Sequence, residues 1–449
     1  MTFLFAESAL LPTGWHSMVR IRVQDGLIAS VESGAAPQPE DERHAVLVPG
    51  LGNLHSHAFQ RGMAGLAEVR GPGDDSFWSW RKIMYGFALA IAPDQLEAVA
   101  AQLYVEMLEA GYTRVGEFHY LHHDVDGRPY ARLAELAERI AAASAETGLA
   151  LTLLPVFYAH AGFGGREPQP AQRRFITSPD LYARLVSDCR GITQALPGGK
   201  TGVAPHSLRA VTPDELKAIL PLSEQGPIHI HIAEQVQEVE DCVAWSGQRP
   251  VDWLLGHMPV NDRWTLIHAT HMTEKETAGM AAAKAVAGLC PVTEANLGDG
   301  VFPANRFLGA GGRFGVGSDS NVFVSLPEEL RQLEYSQRLF HRSRNVIAAP
   351  GQSTGERLFR EAVAGGAQSL QGGGPIAMGN DADLVSLDLS ACDHLPASAS
   401  LDQWIFARGV SVDCVWARGV KRVKQGRHAA RDAIASRFRA VMRSLAEKM

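Results

Sequence analysis

Two histidines separated by a single residue follow an apolar segment near the N-terminus. The segment covers residues 45–54 and leads into His55 and His57. Alternate side chains of a strand point to the same side, so both imidazoles can reach one point in space. Imidazoles are common metal ligands, although two histidines alone also suit an exposed strand end. The pattern predicts half of a metal site, whose other ligands must come from elsewhere in the chain.

Histidine or acidic residues also end or follow three later apolar segments. They are His229, His231, Glu234, His268 and Asp319. Three imidazoles and one carboxylate suit Zn²⁺, and also Fe²⁺ or Mn²⁺. Such a set leaves one position for water, as a hydrolytic site requires. His229 and His231 share a strand face, so either both bind or His229 packs below; we favour His231, which lies nearer the following loop.

These side chains can meet only if the segments that carry them pair in parallel. Eight apolar, strand-like segments alternate with helix-like segments between residues 48 and 375. This alternation indicates a parallel sheet, and eight strands can close a barrel whose site lies at their carboxyl ends. A doubly wound open sheet is the alternative. The polar residues follow many strands rather than one switch point, which favours the barrel.

Both ends of the chain alternate apolar and polar residues, as short strands do. Neither end could bury a sheet face alone, so we expect residues 1–47 and 376–430 to form one small β domain. Residues 48–375 would form the barrel and residues 431–449 a C-terminal helix. The predicted fold class is α/β, a distorted (β/α)8 TIM-type barrel with a small β-sandwich domain built from both chain ends.

Composition excludes several kinds of partner. The chain has 449 residues, 46% of them hydrophobic, and a formal net charge of −7 without a basic tract, so no nucleic acid is expected. No apolar run reaches about 18 residues, so no membrane span is expected. The five cysteines are scattered and no signal peptide is recognisable, which favours the cytoplasm.

The set of His55-x-His57, His231, His268 and Asp319 on such a barrel resembles the amidohydrolase superfamily. Its two-metal members usually carry a carboxylated lysine at the end of strand four, where this chain has no lysine. The resemblance therefore implies one divalent metal per chain, with Zn²⁺ favoured and Fe²⁺ or Mn²⁺ as alternatives. It implies the ligands His55, His57, His231 and Asp319.

The spacing His231-x-x-Glu234 is similar to that of the deaminase branch. There the histidine of strand six, here His268, contacts water rather than metal. In the implied chemistry Asp319 accepts a proton from water and Glu234 protonates the departing nitrogen. His268 stabilises charge on the oxygen.

Several stretches more closely resemble the formimidoylglutamate deiminase family. They cover residues 54–63, 116–121, 206–213, 229–234 and 293–300. The resemblance implies hydrolysis of N-formimidoyl-L-glutamate to N-formyl-L-glutamate and ammonia, in histidine degradation, by a homodimer. One residue departs from the pattern, because Asn321 stands where a histidine is expected.

The implied substrate is a small molecule with two carboxylates, which arginine binds well. The resemblance implies substrate contacts from Gln60, Arg81, Tyr120, His206 and Arg209. Arg209 follows strand four, whereas Arg81 lies in the long loop after strand one and could cover the site as a lid. The alternatives are a surface position for Arg81 and a packed position for Tyr120, since both are common for these residue types.

Three other functions compete with this one. The first is another mononuclear deaminase of the superfamily, acting on a purine, a pyrimidine or another amidine-containing substrate. The second is a ring-opening hydrolase such as imidazolonepropionase, and the third a non-catalytic binding protein. The pair of His206 and Arg209 favours an acidic substrate, and the retained ligands and Glu234 favour an enzyme.

Overall fold

The computed structural model describes residues 1–70 and 75–447. The last two residues of the predicted C-terminal segment, 448 and 449, lie outside the described residues. The strands are β1 (Thr2–Leu11), β2 (Gly14–Gln24), β3 (Leu27–Glu32), β4 (Glu42–Pro49), β5 (Leu51–Ser56), β6 (Tyr112–His119), β7 (Ala150–Phe157), β8 (Lys200–Thr201), β9 (Ala204–Pro205), β10 (Ile228–Ile232), β11 (Trp264–His268), β12 (Val286–Leu289), β13 (Arg313–Val316), β14 (Leu384–Asp388), β15 (Ser411–Ala417), β16 (Val420–Lys424) and β17 (Arg427–His428).

The α-helices connect and cover these strands. They are α1 (Phe77–Ala90), α2 (Pro93–Glu109), α3 (Glu135–Thr147), α4 (Pro179–Gln194), α5 (Pro213–Ile219), α6 (Val236–Ser246), α7 (Pro250–His257), α8 (Glu274–Ala282), α9 (Pro291–Leu297), α10 (Ala304–Gly309), α11 (Leu326–His341), α12 (Thr354–Leu370), α13 (Ser400–Phe406) and α14 (Arg431–Ala446). Among the described residues, no helix combines the length and the apolar character needed to cross a lipid bilayer.

Parallel strands form the central barrel. β5, β6 and β7 pair in order, and the fourth position is divided between β8 and β9, which both pair with β7. β10 to β13 form the other half. Parallel bridges from Val203 to Ile228 and from Ser56 to Asp319 join the two halves on both sides. The predicted TIM-type barrel is confirmed.

The two chain ends build a second sheet beside the barrel. Its eight strands follow the order β17-β16-β15-β14-β4-β1-β2-β3. Its apolar side chains form a buried cluster of their own, which includes Leu4, Ile21, Leu384 and Trp416. Strands from both ends thus form one unit, as the fold class predicts. The boundaries given above for the small domain, the barrel and the C-terminal helix stay a prediction.

The apolar segment 45–54, expected to be one strand, is two strands in different sheets. β4 ends at Pro49 and β5 begins at Leu51. Gly50 between them donates its N–H to the carbonyl of Asp383, 2.8 Å away in the terminal sheet unit. A Cβ at Gly50 would collide with the side chain of Thr113, so the crossing requires glycine. Continuous apolar character does not reveal such a crossing.

The long loop expected after strand one contains a helix, α1. The Ser76 side chain caps it by accepting from the Trp78 N–H, and the Ser79 hydroxyl accepts from the Ser76 N–H. The helix buries Phe77 and Phe87 among other apolar residues. Arg81 therefore lies on a helix rather than in a loop, which corrects its predicted setting.

Helix α12 packs directly against the strands where the barrel closes. A Cβ at Gly365, in the middle of α12, would collide with the carbonyl oxygen of Phe314 in β13. The neighbouring Gly366 approaches the backbone of Gly52 in β5. The two glycines let the helix backbone touch both strands.

Replacement of Gly365 by alanine should destabilise the protein, although alanine favours helices. We expect a loss of about 1–3 kcal/mol or more, because the backbone of α12 must move away from β13. Gly191→Ala in α4 is the matched control, since an added Cβ there meets no atom within 4 Å. It should stabilise the protein by up to about 1 kcal/mol. Urea unfolding measures both, and equal effects would contradict the role of Gly365.

Candidate active site

The four predicted metal ligands meet at the carboxyl ends of the strands. The Nε2 atom of His55 lies 3.2 Å from that of His57 and 3.0 Å from that of His231. Asp319 places Oδ1 3.1 Å from Nε2 of His57 and 3.4 Å from Nε2 of His55. All four side chains are buried. We call these four residues the ligand cluster.

The hydrogen bonds behind the imidazoles show that the cluster fits a cation. Nδ1 of His57 lies 2.9 Å from the carbonyl oxygen of Phe118, and Nδ1 of His231 lies 3.0 Å from that of His206. A carbonyl can only accept, so both Nδ1 atoms donate and both Nε2 atoms keep their lone pairs. Converging lone pairs repel one another unless a cation lies between them. The donor set suits one divalent ion.

Burial also keeps these histidines in the form that binds metal. It lowers the pKa of His55 to about 3 and that of His231 well below its ordinary value. His206 behaves in the same way, because burial and then the charges of Arg209 and Arg81 lower its pKa. The imidazoles of His55, His231 and His206 are therefore neutral at physiological pH.

The backbone at the strand ends adopts an unusual conformation. Positive φ angles occur at Ala233 (52°), His268 (69°), Ala269 (48°), Asp319 (44°) and Asn321 (56°). Residues other than glycine rarely adopt this region, and such strain clusters at functional sites. Asparagine, aspartate and histidine are enriched there but alanine is not, and none of these types requires a positive φ, so sequence reasoning misses this feature.

Asn321, the residue that departs from the family pattern, ties two strand ends together. Its Nδ2 donates to the carbonyls of Asp319 and His57, each at 3.0 Å, and to the Ser56 hydroxyl at 3.2 Å. Its Oδ1 accepts from the Ser318 hydroxyl at 2.6 Å. Asparagine here satisfies both amide atoms and supports the loop that carries Asp319.

Glu234 and His268 lie beside the ligand cluster. Nε2 of His268 is 3.7 Å from Oε1 of Glu234 and 3.8 Å from Oδ2 of Asp319. Its Nδ1 is 3.2 Å from Oε1 of Glu294. Burial alone would lower the pKa of His268, but the three carboxylates outweigh burial and raise it to about 10. His268 can therefore offer a proton toward the cluster.

Glu294 is a site residue that sequence reasoning did not single out. It lies in the first turn of α9 and accepts from the Cys290 N–H at 2.9 Å while it orients His268. Glu294 lies within residues 293–300, which resemble the formimidoylglutamate deiminase family, and directly after a barrel strand. This position could have indicated a role in the site.

The alternative ligand His229 lies away from the cluster. It is buried, and its Nε2 pairs with the carbonyl of Ser369 at 3.0 Å in α12. The structure thus separates it from His231, which the spacing alone could not do.

All five predicted substrate contacts line one cavity of about 50 Å³ beside the ligand cluster. They are Gln60, Arg81, Tyr120, His206 and Arg209. Phe77, Trp80 and Met84 of α1 line it as well and were not predicted. Gln60 donates from Nε2 to the Tyr120 hydroxyl at 2.8 Å, but its buried Oε1 has no hydrogen-bond partner among the described residues. Nε of Arg209 likewise has none there.

A larger cavity of about 490 Å³ lies beside the first one. Arg81, His206 and Arg209 line both, and Lys82 lines only the larger one. Nη2 of Arg81 donates to the Tyr158 hydroxyl at 3.0 Å, and its guanidinium lies over the ring of Tyr85. Arg81 therefore stands between an inner and an outer cavity.

Comparisons with known proteins agree with this geometry. Residues 46–421 match the amidohydrolase family model, and residues 1–45 match the model of the N-terminal domain of the formimidoylglutamate deiminase HutF. The chain is 49% identical over 454 residues to formimidoylglutamate deiminase of Pseudomonas aeruginosa, covering 99% of this chain and 100% of that protein.

Solved structures share the whole architecture. An amidohydrolase from Brucella melitensis superimposes with a TM-score of 0.97 at 58% identity, over 99% of this chain and 100% of that one. An adenosine deaminase from Xanthomonas campestris with bound zinc gives a TM-score of 0.80 at 25% identity, over 99% and 98%. The chain belongs to the amidohydrolase family and, within it, to the formimidoylglutamate deiminases.

Proposed function

We propose that the protein hydrolyses N-formimidoyl-L-glutamate to N-formyl-L-glutamate and ammonia. The full-length similarity to a formimidoylglutamate deiminase supports this substrate. The observation that carries the proposal is the pair Arg81 and Arg209 in one small cavity with the ligand cluster. Two guanidinium groups match the two carboxylates of the substrate.

The atoms without partners suggest how the substrate is held. Nε of Arg209 offers a donor to a carboxylate, and Oε1 of Gln60 offers an acceptor to a substrate N–H. An amidine is protonated at neutral pH, and the Glu234 carboxylate, which lines the same cavity 3.5 Å from Nη2 of Arg209, is its natural partner.

We propose zinc as the metal, one ion per chain, held by the ligand cluster. The nitrogen and oxygen donors support zinc, and the related adenosine deaminase structure contains it. Bound zinc would act as a Lewis acid that lowers the pKa of a water molecule. Elemental analysis of the purified protein tests this proposal, and iron or manganese in place of zinc would contradict it.

The protein's own residues move the protons. The oxygen of water forms a bond to the formimidoyl carbon while Asp319 accepts its proton. The Glu234 carboxylate takes the second proton from the hydroxyl so formed and delivers it to the amidine nitrogen. The C–N bond then breaks as the formyl C=O forms, and ammonia leaves. His268, oriented by Glu294, stabilises the charge that develops on the oxygen.

A purine or pyrimidine deaminase is the competing function, because one structural relative is an adenosine deaminase. Such substrates lack carboxylates, so the guanidinium groups of Arg81 and Arg209 in the cavity would have no anionic group of the substrate to bind. Ammonia release from formimidoylglutamate, compared with adenosine, guanine and cytosine, decides between them. Imidazolonepropionate is the control for the ring-opening alternative, whose reaction releases no ammonia.

We also propose a cytoplasmic homodimer. All five cysteines are unpaired and buried, which suits a reducing compartment. Tyr335, Leu339 and Phe340 expose apolar surface on α11, as an interface between copies would. Sedimentation of the purified protein tests the oligomeric state.

Glu234→Gln should lower turnover by about 10²–10⁴-fold, because glutamine cannot transfer a proton. Metal content should stay near that of the wild type, since Glu234 is not one of the ligands. Glu240→Gln, on the exposed side of α6, is the matched control and should be neutral. Turnover near that of the wild type in the Glu234 variant would refute its role.

Arg81→Met should reduce kcat/KM for formimidoylglutamate by about 10–10²-fold, mainly through KM, because a charge-assisted hydrogen bond to a carboxylate is lost. Lys82→Met is the control, because the neighbouring Lys82 lines only the outer cavity. Equal losses in both variants would indicate general attraction of anions rather than a direct contact of Arg81.

Removal of metal by a chelator should abolish ammonia release and lower the melting temperature, because a ligand that binds only the folded state stabilises it. One equivalent of zinc per chain should restore both. Full turnover by protein that elemental analysis shows to be free of metal would contradict the proposed chemistry.

A further inference from the structure

A second set of metal-binding side chains lies directly beside the ligand cluster. His268, Cys290 and Asp319 each offer one donor atom, and the three atoms lie within 4.8 Å of one another. All three residues are buried. A tetrahedral zinc site with bonds of about 2.0–2.3 Å separates its ligand atoms by roughly 3–4 Å, so a small adjustment suffices.

The donor atoms of this set are available. Nδ1 of His268 is engaged by Glu294 at 3.2 Å, which leaves Nε2 directed toward Oδ2 of Asp319, 3.8 Å away. Oδ1 of Asp319 faces His55 and His57, so one carboxylate can serve both sets. Within the residues that the structure describes, the Cys290 thiol makes no hydrogen bond, whereas Cys242 contacts Ser246.

The surroundings of Cys290 are strongly acidic. Burial first, and then the charges of Asp319, Glu294, Glu329 and Glu234, raise the pKa of the Cys290 thiol. Glu329 is fully buried, and its Oε1 has no partner among the described residues. A single ion in the ligand cluster coordinates only Asp319 among these carboxylates. His268 and Arg209 lie beside Glu234 and offset part of this acidity. A cation that replaces the protons of His268 and Cys290 would keep that charge balance.

We infer that His268, Cys290 and Asp319 form a second, inhibitory site for a thiophilic divalent cation such as Zn²⁺ or Cd²⁺. A thiolate, an imidazole and a carboxylate form a soft donor set that prefers these ions to Mg²⁺ or Ca²⁺. On binding, the thiol and Nε2 of His268 release their protons to solvent. The cation then occupies His268 and Asp319, two groups that the proposed reaction needs, so excess metal inhibits.

Cobalt provides a readout that does not depend on substrate. The ligand cluster contains no sulfur, so the first equivalent of Co²⁺ should give no thiolate-to-metal charge-transfer band in the near ultraviolet. The second equivalent should produce that band. In Cys290→Ser the band should be absent and the protein should retain one metal ion per chain. Cys290→Ala provides a second variant if serine impairs folding.

Activity should follow the same pattern. Saturating Zn²⁺ or Cd²⁺ should inhibit ammonia release by the one-metal enzyme at least tenfold, and Cys290→Ser should be inhibited less than twofold. Cys242→Ser, which changes another buried cysteine, should behave like the wild type. A missing charge-transfer band, or equal inhibition of Cys290→Ser, would overturn the inference and indicate adventitious surface binding only. Failure of the substrate proposal would leave the band and the stoichiometry unchanged.

Discussion

The barrel closes through the backbone of the residues that would bind the metal. The N–H of Asp319 donates to the carbonyl of His55 at 2.9 Å, and the N–H of His57 donates to the carbonyl of Asp319 at 3.0 Å. The hydrogen bonds that join the last strand to the first therefore also fix the separation of three predicted ligands, His55, His57 and Asp319. Asp319 adopts an unfavourable positive φ in this arrangement. Asn321 stabilises that conformation by donating hydrogen bonds to the carbonyls of His57 and Asp319. Fold and site cannot be changed independently here.

A balance of buried charge governs the chemistry around this closure. Asp319, Glu234 and Glu294 surround His268 and make it a cation, whereas His55 and His231 a few ångströms away stay neutral because burial dominates. Histidines of the same type thus take different protonation states according to their acidic neighbours. The neutral ones can coordinate a metal, and the charged one can stabilise an oxyanion.

The sequence predicts the parts of the site that follow from periodicity. His55, His57, His231 and Asp319 were recoverable because strand ends converge in a parallel barrel, whatever the details of packing. The features that depend on contacts between distant segments of the chain could not be predicted from the sequence. The nearby loop favours His231 over His229, but the reason that His229 packs below the site is the distant carbonyl of Ser369 beside it. The change of sheet at Gly50 depends on Thr113, which lies in another strand.

Helix α1 is the most consequential feature that sequence reasoning missed. Ligand pockets usually measure about 300–1,000 Å³, whereas the inner cavity measures about 50 Å³ and the outer one about 490 Å³. Phe77, Trp80 and Met84 of α1 line the inner cavity, and Arg81 of the same helix stands between the two. In the proposed function, a dicarboxylate in the outer cavity would compete with the Tyr158 hydroxyl for the guanidinium of Arg81. A carboxylate can replace that hydroxyl as a stronger partner of the guanidinium. Arg81 could thus exchange the Tyr158 hydroxyl for a carboxylate of an acidic substrate. A neutral nucleobase has no carboxylate to offer in exchange.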